Sequence, residues 1–103
     1  MKSEMLNQIA EVVAQECEVS VEDIKSACKR GDIVEARCIF VHYCYAYGLQ
    51  PYSMLSFLGR KRKATVNDCS SNYLIFRRQS TSFRLMSDKV GDKLSAIYPP
   101  NTR

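Results

Sequence analysis

Four consecutive cations, Arg60-Lys61-Arg62-Lys63, stand between Gly59 and a helical pattern that begins at Ala64-Thr65-Val66. Lysine and arginine neutralise phosphates, and an arginine can also offer two parallel N–H groups to guanine O6 and N7, so the chemistry on offer is recognition of a polyanion. The charge around this turn is uneven. Between Lys29 and Arg78 nine basic residues (Lys29, Arg30, Arg37, Arg60, Lys61, Arg62, Lys63, Arg77 and Arg78) stand against three acidic ones, Asp32, Glu35 and Asp68. The rest of the chain carries six basic and eight acidic residues, so the net charge of +4 is concentrated in the middle of the sequence, as expected of a polyanion-facing surface. Blander readings compete: the basic turn could be a solvated loop or an import signal, and Arg37 could pair with an acidic neighbour such as Glu35 or Asp32.

Other residues with chemical potential lead away from catalysis. His42, the single histidine, has no carboxylate or thiol partner at a known catalytic spacing, so it reads as structural. The five cysteines, at 17, 28, 38, 44 and 69, show neither C-x-x-C nor a metal-ligand spacing with His42. They read as reduced thiols, mostly core, with no metal or other cofactor; Cys38 and Cys44 would fall on different faces of a helix. Tyrosines can stack on the bases of single strands, but Tyr43, Tyr45, Tyr47 and Tyr73 fall on apolar helical stripes, which favours packing. Glycines at 31, 48, 59 and 91 offer no G-x-x-x-x-G-K-[ST], and there is no paired-carboxylate or nucleophile–base set, so neither nucleotide binding nor enzymatic activity is expected.

The elements that must position the basic turn are helical. The central one is the stretch from about Asp32 or Ile33 to Tyr47, apolar almost all round except for Glu35, Arg37 and His42, with Cys38, Val41 and Tyr45 on one side and Ala36, Phe40, Tyr43 and Tyr47 on another. Its apolar run from Cys38 to Tyr47 is far short of the roughly 20 residues that span a bilayer, so it must pack against other helices. Before it, Ile9, Val12, Val13 and Cys17 give a helix over about 4–17. Ser20 caps a second helix with Glu22 and Asp23 in its first turn, predicted to run to about Lys29-Arg30-Gly31 with Gly31 as a left-handed cap.

After Gly48, Pro51 opens a short helix whose apolar side is Met54, Leu55, Phe57 and Leu58 and which ends at Gly59. In the next helix Val66, Cys69, Tyr73 and Phe76 form the inward stripe, leaving Lys63, Asn67, Ser71 and Arg78 outward. A last helix from Ser80 or Ser82 to Ile97 turns Phe83, Met86, Val90 and Leu94 inward, and the chain frays from Tyr98. The expectation is an all-α, compact bundle of about six helices: one domain over 1–98, a helix-turn-helix at about 51–77 and a flexible tail at 99–103. The N-terminus lacks the pattern of a signal peptide, which points to the cytoplasm.

Laid out this way, the chain resembles the C-terminal DNA-binding domain of the bacterial chromosomal replication initiator DnaA, from about Ile9 to Leu94. Ile9-Ala10-Glu11-Val12-Val13-Ala14 followed by Val19-Ser20-Val21-Glu22-Asp23-Ile24 is similar to that family's opening helices. Lys29-Arg30 matches its basic pair, and Ala36-Arg37-Cys38-Ile39 its Ala-Arg-Gln-Ile. The resemblance implies a fold of the Trp repressor-like, DnaA C-terminal kind, and it implies that Arg37 emerges from the central helix to reach the minor groove. It also sets Lys61, Arg62, Lys63, Ala64 and Thr65 where the family has Arg-Asp-His-Ser/Thr-Thr, with Val66 following. Arg62-Lys63 replaces Asp-His and Ala64 replaces a hydroxyl, so the family's target sequence does not carry over.

The site expected from residues and resemblance together is Arg30, Arg37, Arg60, Lys61, Arg62, Lys63, Ala64, Thr65 and Asn67, on double-stranded DNA. Lys29, Arg30, Lys61 and Lys63 would hold phosphates, and Arg62, Thr65 and Asn67 would read bases. No membrane and no nucleotide is expected as a partner, and the resemblance suggests one monomer per site. The alternative is an interaction module that binds a replication or regulatory protein through the same surface or through its acidic first helix.

Overall fold

Ala36, Arg37, Cys38, Ile39, Phe40 and Val41 are consecutive and all buried, which a helix achieves only when neighbours cover it on every side. In the computed structural model they do. Described are residues 2–26, 28–59 and 63–98, with side chains from Glu4 onward and, in the fifth helix, from Val66 onward. Six helices follow one another: α1 (Lys2–Cys17), α2 (Val21–Lys25), α3 (Gly31–Ala46), α4 (Pro51–Leu58), α5 (Lys63–Gln79) and α6 (Thr81–Ile97). Among the described residues there is no strand, and α3 touches each of the other five helices. The molecule is an all-α bundle built around it.

Local chemistry sets most of the boundaries. Ser20 and Asp23 form a capping box: the Asp23 N–H donates to Ser20 Oγ at 3.0 Å and the Ser20 N–H to Asp23 Oδ2 at 3.3 Å. Pro51 lies in the first turn of α4, where its missing N–H leaves no helix bond unmade. Ser80 caps α6 by accepting from the Phe83 N–H at 3.2 Å. At its far end α3 closes through Gly48, whose φ is +80°, with the Leu49 N–H donating back to Cys44 O at 2.9 Å.

The core runs through all these elements. Ile9 and Val13 of α1, Ile24 of α2, Ile39 and Phe40 of α3, Met54 and Leu58 of α4, Val66 of α5 and Phe83, Val90 and Leu94 of α6 are buried in one cluster. Phe57 stacks on Phe40 with ring centroids 5.3 Å apart, and Met86 and Phe76 pack at its margin. Gly91 in mid-helix is explained by a close approach: a Cβ there would lie 2.6 Å from the Tyr43 hydroxyl, which donates to the Ser87 carbonyl at 2.7 Å.

Three expectations need correction. The second helix stops at Lys25, not near Lys29-Arg30-Gly31, and Gly31 opens α3 instead of closing α2. Tyr45, near the end of α3, lies at the surface. Tyr98 is held rather than frayed: its N–H donates to Leu94 O at 2.7 Å, its carbonyl accepts from the Tyr47 hydroxyl at 3.3 Å, and the two rings meet edge to face. Residues 99–103, expected as a tail, lie outside the described part of the chain.

Candidate nucleic-acid interface

Gly59 ends α4 with φ +67° and ψ 28°, a left-handed conformation that glycine adopts without a Cβ penalty. The next helix, α5, packs on both α4 and α3. Its inward stripe is Val66, Cys69 and Tyr73, all buried, with Phe76 half-buried; Asn67, Asp68, Ser71, Leu74, Ile75 and Arg78 are exposed. α4 thus ends at a left-handed glycine, and one face of α5 is left to solvent. Of the site residues, Arg60, Lys61 and Arg62 lie outside the described residues, as do the side chains of Lys63, Ala64 and Thr65, whose backbone starts α5. Asn67 is exposed one turn after them.

What holds α5 in place is a polar knot that sequence spacing did not reveal. Ser87 of α6 is fully buried, its hydroxyl 2.6 Å from the Tyr73 hydroxyl and its carbonyl bonded to Tyr43 of α3. His42 lies flat on Tyr73, and Arg77 bridges to Asp88 at 3.1 Å. Burial, and then the nearby Arg77 charge, lowers the His42 pKa below its ordinary value. The Cys38 thiol is raised by a hydrogen bond with Cys69 and by burial, so it stays a neutral thiol between α3 and α5. Cys44 is likewise raised by burial, Cys17 half-buried is pushed up to about 12 by burial and nearby carboxylates, and Cys28 is exposed.

The cations N-terminal to α3 and within it divide into two kinds. Lys29 and Arg30 are exposed in the α2–α3 linker. The Arg30 guanidinium is engaged with Asp32, Nε donating to Oδ1 at 2.8 Å and Nη2 to Oδ2 at 3.3 Å, and this contact holds the Asp32 carboxyl below its usual range. Arg37 is different. Only 7% exposed, it does not emerge from α3. Its Nε donates to Ile24 O at 2.9 Å, and its Nη2 converges on Ser26 O at 2.8 Å and on Asp23 O and Cys28 O at 3.3 Å each.

The expected Arg37 contact to a minor groove is therefore corrected. A guanidinium turned inward onto four carbonyls, on a residue only 7% exposed, does not extend from the surface toward a base or phosphate. These partners are backbone carbonyls, where an ion pair with Glu35 or Asp32 was the competing expectation. No local sequence signal marks this role: α2 ends after five residues, and the donor that its last carbonyls receive comes from α3.

Among the described residues no group of three or more His, Cys, Asp or Glu side chains could hold a metal ion, and no helix is long and apolar enough to cross a membrane. A cavity of about 1130 Å³, open to solvent, lies between the ends of α3 and α6, where Tyr43, Tyr47 and Tyr98 form its aromatic wall. Compared with known proteins, the chain matches no protein-family model, and no curated protein matches it.

Proposed function

We propose that this chain binds double-stranded DNA through α4, the basic run after Gly59 and the first half of α5, in the manner of the replication initiator's DNA-binding domain. The supporting observation is the pairing of α4 and α5 across a left-handed glycine, with Asn67 and Ser71 exposed on the face of α5 that follows four cations in the sequence. In this reading Lys61 and Lys63 grip phosphates, as do Arg60 and the more distant Lys29 and Arg30. Arg62, Thr65 and Asn67 read base edges. Asp68, exposed beside Asn67, adds a carboxylate that can accept from cytosine N4 and that disfavours other approaches to the phosphates.

The test is duplex binding of the purified chain over a salt series, followed by selection from a random duplex library. Binding that strengthens as salt falls, with one motif enriched, is the expected result. Replacing Lys61 and Lys63 with alanine should lower the salt slope by about 1.8, at about 0.9 for each phosphate contact. Absence of binding at low salt would refute the reading.

A second reading is a protein-binding module, and exposed Leu74 and Ile75 on the far half of α5 favour it, because apolar side chains gain little from a phosphate backbone. Retention on a DNA column at physiological salt separates the two. A chain that passes through the column yet recovers a replication protein from lysate belongs to the second.

A further inference from the structure

Lys29 and Arg30 sit on a stretch with little secondary structure of its own. Between Lys25 and Gly31 the local bonds come from Ser26, whose hydroxyl donates to Asp23 O at 2.7 Å and accepts from the Cys28 N–H at 3.2 Å. The longer-range tie described for this stretch is Arg37. One guanidinium reaches carbonyls from Asp23 to Cys28, along the end of α2 and into the linker. The charge suits the place, since the carbonyl end of a helix carries partial negative charge and a buried cation must be compensated where it lies. The shape suits it too, because a planar guanidinium with fixed donors can serve several carbonyls at once and a lysine ammonium cannot do so at the same spacing.

We infer that Arg37 is a positioning residue: from within the fold it sets the α2–α3 linker so that Lys29 and Arg30 are presented at a fixed offset from α5. This inference rests on the DNA-binding reading above. The connection to α5 runs through α3, which carries Arg37 and packs along α5. The linker's last residue is fixed in turn: Arg30 is the residue before α3, its carbonyl accepts from the Ile33 and Val34 N–H groups, and its side chain is held by Asp32. A phosphate contact from Lys29 or Arg30 then requires no ordering of the linker at the moment of binding.

The experiment compares the full chain with Arg37→Met, Arg37→Lys and the double substitution Lys29→Ala with Arg30→Ala. Each is titrated with random-sequence duplex DNA over a salt series, and amide hydrogen exchange is followed at residues 26–30. The alanine pair should lower the salt slope by about 1.8. Arg37→Met should lower it by about 0.9, the Lys29 share, since Arg30 is held by α3 itself, with exchange in the linker faster by more than about tenfold, and adding the alanine pair should then remove only the Arg30 share. Arg37→Lys keeps the charge and most of the volume; it covers the case in which the methionine variant does not fold, and it should show the same loosened linker with a smaller loss of slope.

A folded Arg37 variant that keeps the wild-type slope, while the alanine pair loses it, would overturn the inference and leave Arg37 a purely structural residue. An alanine pair with no effect on the slope would overturn it as well, by removing the linker from the interface. A wild-type chain that binds no duplex is the separate failure of the DNA reading itself, and it overturns this inference with it.

Discussion

The imidazole of His42 and the phenol ring of Tyr73 lie 3.8 Å apart between centroids and within 6° of parallel, with the Tyr43 ring edge-on to His42 at 4.8 Å. Burial comes first and Arg77 second in weakening proton binding at His42. Below the ordinary histidine pKa of 6.5 the unfolded chain therefore binds more protons than the folded one, so this contribution to stability is complete above 6.5 and is lost as pH falls through the depressed folded value. Glu35 acts in the opposite sense: burial and then Asp32 raise its pKa above 4.5, so its contribution is present at low pH and lost as pH rises through the folded value. His42→Phe keeps an aromatic ring on Tyr73 and removes the proton. Its urea midpoint should fall less than that of the wild type between pH 7.5 and pH 5; an equal fall would assign the acid sensitivity to another group.

At the level of elements, helix ends decide where the candidate site lies. Gly59 needs its left-handed backbone, yet a Cβ there would meet nothing within 4 Å, so its requirement is conformational and not steric. Gly59→Ala should cost about 1–2 kcal/mol, read as a lower denaturation midpoint at unchanged m-value. An alanine variant as stable as the wild type would show that the end of α4 does not depend on that conformation. α1 solves the same problem without glycine: Glu18 takes a φ of 57°, and the Val19 N–H closes back onto Ala14 O at 3.0 Å. Caps of this kind are written in short sequence signals, which is why Ser20, Pro51, Gly59 and Ser80 are legible in the order of residues alone. The end of α2 is not, because the groups that satisfy its carbonyls come from α3.

For the molecule as a whole, contact of α3 with every other helix makes partial unfolding expensive, since removing α3 exposes the interior face of each neighbour. The radius of gyration, 12.5 Å, is that of a single domain, for which about 13 Å is usual at 100 residues. Heat should unfold the chain in one transition with an enthalpy of roughly 70 kcal/mol and equal calorimetric and van't Hoff values. Two resolved transitions would mean that some pair of helices, such as α5 and α6, forms a unit of its own. Charge is distributed at this scale too: Lys93 of α6 pairs with Glu16 of α1 and Arg77 of α5 with Asp88 of α6, so these cations are partly neutralised within the bundle. Lys29 and Arg78 are exposed as well.

The six helices, the central position of α3 and the inward stripes of α5 and α6 follow from the order of amino acids. Those properties depend on apolar spacing and on caps within a few residues of one another, and burial follows once each apolar face must leave water. The outward face shared by Asn67 and Ser71 follows in the same way. The inward placement of Arg37 is decided by packing instead. A lone cation in an apolar helix is marked as unusual by its neighbours in sequence, but whether it turns to solvent or inward depends on acceptors 9–14 residues away that exist only once α2 has stopped and packed against α3. The Ser87, Tyr73 and Tyr43 knot is hidden in the sequence for the same reason: its partners lie 14 and 44 residues apart, and no local pattern sets such distances.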